Sequence, residues 1–169
     1  MKKTSAFFIL FVLCLLFSSC TGKFQGRGES DNTLPDHILA KKALINFFDH
    51  LYAGRYKQAA GLYGGSYDIL TAWNQEIDPF DYESLLQAAC SINGSRCLKV
   101  KSAVFNKEIS HDEWEFYVKF QEKSGYVFVL WPCCGEGESG SSPQTVFSYK
   151  VKKTIDGSFL VMALPPYAP

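Results

Sequence analysis

Residues 40–51 read AKKALINFFDHL, and the apolar letters in this stretch return every three or four positions. That period places them on one face of an amphipathic helix, with the polar residues on the other faces. Leu34-Pro35-Asp36 follows Thr33 and predicts a helix start, because proline suits the first helical turn. Gly54 predicts the end of the helix. The expected core stripe consists of Ala40, Leu44, Phe47, Phe48 and Leu51.

Two further helices are expected before Cys97. The first covers residues 56–63 and is stopped by Gly64-Gly65, since paired glycines favour a break. The second begins near Asp78-Pro79 and runs to the region of Cys90. Residues 67–73, between these two helices, are predicted as a short strand.

After Cys97 the apolar period changes from helical to alternating, which is typical of strands. In the first predicted strand Leu98, Val100, Ser102 and Val104 share one face, and Lys99 and Lys101 share the other. In the second, the apolar face consists of Trp114, Phe116, Val118 and Phe120.

The remaining strands are expected in residues 126–131, 146–153 and 159–163. The run at 126–131 is apolar on both faces, which predicts a central position in the sheet. Residues 132–143 are rich in Gly and Ser and are predicted as a loop. Asp156-Gly157 joins the last two strands, so these are expected to form a hairpin.

Helices first and a meandering sheet afterwards predict an α+β fold, with N-terminal helices packed on a curved antiparallel sheet. Residues 43–63, ALINFFDHLYAGRYKQAAGLY, resemble the opening helices of nuclear transport factor 2-like domains in small bacterial lipoproteins. The resemblance in element order covers most of residues 33–164 and implies a cone-shaped sheet. Residues 54–60 also resemble half of a tetratricopeptide repeat, but no second copy follows at the roughly 34-residue period of such arrays.

The resemblance also raises the question of catalysis, because nuclear transport factor 2-like domains often enclose a pocket between the sheet and the long helix. Some members, such as ketosteroid isomerases, use Asp and Tyr there for proton transfer. No Asp and Tyr set in this sequence matches that enzymatic motif, so no catalytic residue is carried over. The residues expected to line or rim such a pocket are Tyr52, Tyr56, Tyr63, Asp68, Trp73, Trp114 and Trp131.

The N-terminus has the pattern of an exported signal peptide. Lys2 and Lys3 precede an apolar stretch, residues 6–17, and small residues follow it. The stretch is about 12 residues long, whereas a membrane-spanning helix needs ~20. Leu16-Phe17-Ser18-Ser19-Cys20 resembles the bacterial lipobox, which implies cleavage before Cys20 and attachment of lipid to its thiol.

The sequence therefore divides into a signal peptide (1–19), a polar flexible tether (20–32) and one α+β domain (33–169). The lipid supplies the membrane affinity, because each buried methylene contributes ~0.8 kcal/mol. Thr21 follows Cys20 where Asp would retain a lipoprotein in the inner membrane. In a Gram-negative organism this resemblance to the sorting rule implies an outer-membrane protein that faces the periplasm.

Four cysteines remain beyond the signal and the lipidation site, and disulfides are expected in an exported compartment. They are Cys90, Cys97, Cys133 and Cys134. A Cys90 to Cys97 bridge is favoured, because Asn93-Gly94 between them predicts a turn. The alternative is that Cys133 and Cys134 both pair across to Cys90 and Cys97. The spacings do not match zinc sites, and no metal or cofactor is expected.

The charge of the chain argues against nucleic acid as a partner. Without Lys2 and Lys3 the chain carries 15 basic and 17 acidic side chains, with no clustered basic face. We expect a noncatalytic cell-envelope lipoprotein that binds a small apolar ligand or an envelope protein. The alternatives are an isomerase-like enzyme that uses the same cavity and an envelope assembly or stress-response component. A cavity filled by side chains favours a structural or partner-binding role, whereas an open pocket with a buried carboxylate that reaches solvent favours catalysis.

Overall fold

A computed structural model describes residues 34–132 and 142–168. Within these residues four helices precede four strands. The order of helices before the sheet is as the sequence predicts, but the prediction had three helices, a short strand at 67–73 and five later strands. The helices are α1 (Asp36–Tyr52), α2 (Tyr56–Ala60), α3 (Asp68–Trp73) and α4 (Tyr82–Ser91). The strands are β1 (Lys99–Ser110), β2 (Glu113–Gln121), β3 (Phe147–Lys153) and β4 (Phe159–Val161). None of the helices in the described part of the chain is long and apolar enough to cross a bilayer.

The strands form one antiparallel sheet in the order β1-β2-β3-β4, and α1 packs against it. The predicted stripe of α1 is buried, and so is the alternating apolar face of β2. Phe48 on α1 meets Phe120 and Tyr149 of the sheet edge-to-face, with ring centroids 4.8 and 4.9 Å apart. The predicted α+β class and the final hairpin are therefore confirmed.

The predicted face of β1 is wrong at Val104, which is 59% exposed, whereas the neighbouring Ala103 is buried. The pairing of β1 with β2 shifts register between Val100 and Ser102. A bulge of this kind inserts one residue into the strand and reverses the faces that follow it. A bulge also bends the strand that contains it.

The sequence predicts a strand at residues 67–73, but Asp68–Trp73 form the helix α3. The backbone N–H of Asp68 donates to the Ser66 hydroxyl at 3.0 Å, which satisfies a free donor at the start of the helix. At the other end the Asn74 amide donates to the Leu70 carbonyl at 2.7 Å. These local hydrogen bonds outweigh the strand preference of the Tyr, Ile and Trp residues in this stretch.

Residues 126–131 are not the predicted central strand. They make only isolated bridges in the described residues, between Val127 and Gln121 and between Leu130 and Gln144. Phe128 is buried, whereas Tyr126 is 77% and Trp131 68% exposed. Val127, Val129 and Leu130 are half-buried, so the segment lies partly against the core but does not form a continuous strand.

Helix α2 ends at Ala60, before the Gly64-Gly65 pair at which the sequence predicts its end, and the chain then passes beside β4. Tyr63 pairs with Val161 in a parallel bridge, and the Gly64 N–H donates to the Val161 carbonyl at 2.9 Å. A Cβ atom on Gly64 would lie 2.8 Å from the Leu160 Cβ, closer than side chains approach one another. The later helix α4 begins at Tyr82 rather than near Asp78-Pro79, because Asp81 accepts the Ser84 N–H at 3.1 Å and caps it.

Candidate ligand-binding cleft

Aromatic rings fill the space between α1 and the sheet. Phe47 and Phe48 pack with ring centroids 5.0 Å apart, and Phe120 lies 5.9 Å from Tyr149. The Tyr149 hydroxyl donates to the Leu164 carbonyl at 3.2 Å, and burial raises the pKa of that hydroxyl. This part of the interior is a packed core rather than an open pocket.

An apolar cleft of about 600 Å³ lies beyond the end of β2. Phe128 forms part of its lining, is itself buried, and stacks on Phe147 with ring centroids 5.9 Å apart. Leu98, Leu130 and Trp131 also line the cleft. Trp131 is 68% exposed, so a large indole surface faces solvent beside apolar walls.

Charged side chains accompany these apolar walls. Arg96, Glu122 and Lys123 also line the cleft, and all three are exposed at the surface. Apolar walls with a few polar groups are typical of sites that bind small molecules. The cleft volume lies within the range usual for small-molecule sites, and solvent-exposed charged side chains lie beside the apolar walls.

The C-terminal segment and the disulfide loop hold Arg96 next to this cleft. The Arg96 N–H donates to the Pro166 carbonyl at 2.7 Å, and Ser95 bridges with Tyr167. The favoured disulfide between Cys90 and Cys97 is present, with Cα atoms 5.5 Å apart. Cys20, Cys133 and Cys134 lie outside the described residues.

Trp131 is the one predicted pocket residue that lines this cleft. Trp114 is buried in the core, where its ring lies 5.7 Å from that of Phe159. Tyr63 is also buried; its hydroxyl donates to the Ser66 carbonyl at 2.9 Å, and burial raises its pKa to about 12.

The other predicted pocket residues are dispersed. Tyr52 lies under the Lys99 ammonium, 5.4 Å from its ring centre, and Tyr56 packs half-buried against the core. Trp73 faces the Tyr167 ring at 5.2 Å. Asp68 is exposed in a separate groove beside α3. The structure therefore does not bring the seven predicted residues into one cavity.

Sequence reasoning missed Arg96, Leu98, Phe128 and Leu130 as cleft residues. Residues 126–131 carry a signal for this cleft, because they are apolar on both faces and a strand that buries one face needs only one apolar face. The sequence predicts a central strand from these apolar side chains, whereas Phe128, Leu130 and Trp131 line the cleft.

The described residues contain few groups suited to proton transfer. Among the described residues, the buried polar ones are Asn74 and Ser95, and neither side chain changes charge near neutral pH. Glu115 lies on the outer face of the sheet, where hydrogen bonds from Ser148 and Asn106 lower the pKa of its carboxyl. Within residues 34–132 and 142–168 no three His, Cys, Asp or Glu side chains are grouped as metal ligands.

Comparisons with known proteins give one match. No protein-family model and no curated protein sequence matches the chain. Among solved structures, the chain is similar to an NTF2-like family protein from Streptomyces avermitilis that carries a provisional dehydratase designation. The two share 13% sequence identity at a TM-score of 0.41, and the match covers 79% of this chain and 97% of the other.

Proposed function

We propose that this protein is a noncatalytic, lipid-anchored lipoprotein of the cell envelope that binds a small apolar ligand in the cleft beside Trp131. The observation that carries the binding role is the cleft itself. The cleft has a volume of about 600 Å³ and a largely apolar lining, and Trp131 is left 68% exposed beside it. Burying an exposed indole against a ligand releases water from apolar surface, at about 25 cal/mol per Å².

The filled interior argues against catalysis in the space between helix and sheet. An isomerase of the ketosteroid type needs a carboxyl group in an enclosed cavity, where burial and neighbouring groups tune its proton affinity. Here Phe48, Phe120 and Tyr149 occupy the space between helix and sheet. The charged groups at the cleft, Arg96 and Lys123 among them, are exposed.

The proposed anchor rests on the N-terminal sequence. Residues 1–19 have the signal-peptide pattern, and Cys20 follows the lipobox-like residues 16–19. Replacing Cys20 with Ala is expected to abolish palmitate labelling and to release the protein from membranes. Labelling that persists in this variant would refute the lipidation site.

The cleft is tested with N-phenylnaphthylamine, an uncharged apolar probe that fluoresces when it leaves water. The assay uses the Cys20→Ala background, because acyl chains would bind the probe themselves. Trp131→Ala is expected to weaken probe binding about tenfold, the order expected when most of a buried aromatic contact is lost. Tyr126→Ala is the matched control, since Tyr126 is 77% exposed and does not line the cleft. Equal loss in both variants would contradict the proposed site.

A further inference from the structure

A second cavity, which we call the aromatic groove, lies between α3 and the start of α4. Its volume is about 710 Å³, and its lining includes Tyr67, Phe80, Tyr82, Asp68 and Gln75. None of the residues that line it is Lys, Arg or His. Aromatic rings and a carboxylate therefore share one cavity in which no basic side chain competes.

Phe80 projects into solvent from a fixed backbone. It is 79% exposed, although its N–H donates to the Asp78 carboxylate at 2.9 Å and Asp81 next to it caps α4. An apolar residue just before a helix cap often packs on the first turn of its own helix. Leu85, at that position in α4, is fully buried, whereas most of the Phe80 ring remains exposed.

The other two rings form a stacked pair. Tyr67 and Tyr82 lie nearly parallel, with centroids 4.2 Å apart and an interplanar angle of 16°. Tyr63 meets the Tyr67 ring edge-on at 4.9 Å, which fixes the pair against the core. The Tyr67 hydroxyl is buried and has no hydrogen-bond partner among the described residues. Tyr82 is 41% exposed and leaves aromatic surface open to the groove.

The charged side chains in the stretch of chain that forms the aromatic groove are all carboxylates, which favours a negative local field. The chain contains no Lys, Arg or His between Lys57 and Arg96, although its overall formal charge is zero. The same stretch carries the carboxylates Asp68, Glu76, Asp78, Asp81 and Glu83. Asp68 lies in the groove itself. Such a field repels anions and attracts cations at the site.

We propose that the aromatic groove binds an organic cation, an alkylated ammonium group. The negative faces of aromatic rings attract a cation, and aromatic cages of this kind recognise quaternary ammonium ligands. An alkylammonium ion suits this groove because its methyl groups contact the rings while its charge faces Asp68. This site is separate from the cleft at Trp131, and its ligand has the opposite character.

Choline and its uncharged carbon isostere, dimethylbutanol, are the probes that test this proposal. They have nearly the same shape, so a difference in affinity reports on charge. Proton NMR titration of the purified protein, produced from the complete sequence, is expected to show choline binding and at least tenfold weaker binding of the isostere. Equal affinities for the two would overturn the proposal, and so would the absence of choline binding at millimolar concentration.

Variants at Phe80 and Asp68 locate the site. Phe80→Leu keeps apolar surface but removes the ring, and is expected to weaken choline binding roughly two- to fivefold, whereas Phe80→Trp preserves or strengthens it. Asp68→Asn removes the charge and is expected to weaken binding of choline but not of the isostere. Ile92→Ala is the control, because Ile92 is also 79% exposed and lies outside the groove. Choline affinity unchanged by both Phe80→Leu and Asp68→Asn would place binding elsewhere and refute the assignment.

The fluorescence of N-phenylnaphthylamine, the probe for the cleft beside Trp131, allows the two proposed sites to be tested independently. Phe80→Leu is expected to leave that probe's affinity unchanged, and Trp131→Ala to leave choline affinity unchanged. The failure of one site therefore does not imply the failure of the other.

Discussion

The Lys153 ammonium donates to the Asp36 carboxylate at 2.8 Å and so joins the last residue of β3 to the first residue of α1. Both side chains are more than a third exposed, which limits the pair to at most about 1 kcal/mol. Lys153→Met is expected to lower the free energy of unfolding by that amount, measured in urea. A double-mutant cycle with Asp36→Asn gives the coupling, and additivity of the two losses would show that the pair contributes nothing.

Gly65→Ala is expected to destabilise the fold by about 1–3 kcal/mol, the usual cost of forcing extra atoms into a packed site. A Cβ atom there would lie 2.5 Å from the Tyr63 hydroxyl oxygen and 2.7 Å from the Met162 carbonyl oxygen. Gly61→Ala is the matched control, because its Cβ atom would meet the nearest atom at an ordinary 3.6 Å. Thermal unfolding compares the two, and an equal effect would contradict the close approach at Gly65.

Reduction of the Cys90–Cys97 disulfide is expected to cost about 2–3 kcal/mol, the loop-entropy value for so short a loop. The bridge closes a loop of sequence separation 7, in which Gly94 has a positive φ of 81°. Urea unfolding with and without dithiothreitol measures the loss. A variant with Ser at both positions should start at the lower stability, and any effect of reductant that remains in it reports on the other cysteines, Cys133 and Cys134 among them.

The stability of the fold is expected to fall as the pH rises from about 10 to 12, partly because of Tyr63. Burial raises the pKa of this hydroxyl from 10.0 to about 12 in the folded protein. In this window the unfolded chain loses the proton while the folded one keeps it, so deprotonation favours unfolding. The contribution is complete below pH ~10 and is lost as the pH passes the folded pKa.

Tyr63→Phe is expected to flatten this alkaline slope of the unfolding free energy, and Tyr126→Phe to leave it unchanged. Burial also raises the pKa of Tyr67 and Tyr149, so part of the slope remains in the first variant. Identical slopes in the wild-type protein and Tyr63→Phe would show that Tyr63 does not titrate as its burial requires.

The elements that sequence predicted correctly are those with one buried face. Along α1 the apolar stripe repeats with the helical period, and along β2 it alternates, because each element buries one side against the other. A pattern read from one segment is reliable when a single interface determines it. Residues 67–73 have no such stripe, since Leu70 alone in α3 is buried, and local hydrogen bonds decided their conformation.

The cleft was less accessible to sequence reasoning because its walls come from separate parts of the chain. Trp131 was recognised as a pocket candidate from its residue type. Its neighbours Leu98 and Arg96 follow the disulfide loop, and Ala168 lies near the C-terminus. Only the folding of the chain places these residues together, and the bulge in β1 shows how one inserted residue changes the faces on which such reasoning depends.

The backbone bridge between Tyr63 and Val161 has a consequence for self-association. It gives β4 a neighbour on its outer side, so within the described sheet the long β1 edge is where a strand from another molecule would add. Lys99, Lys101, Lys107 and Glu108 lie along β1, so this edge carries charged side chains of both signs. Charged side chains along an edge strand oppose the addition of a strand from another molecule, so self-association through the β1 edge is disfavoured.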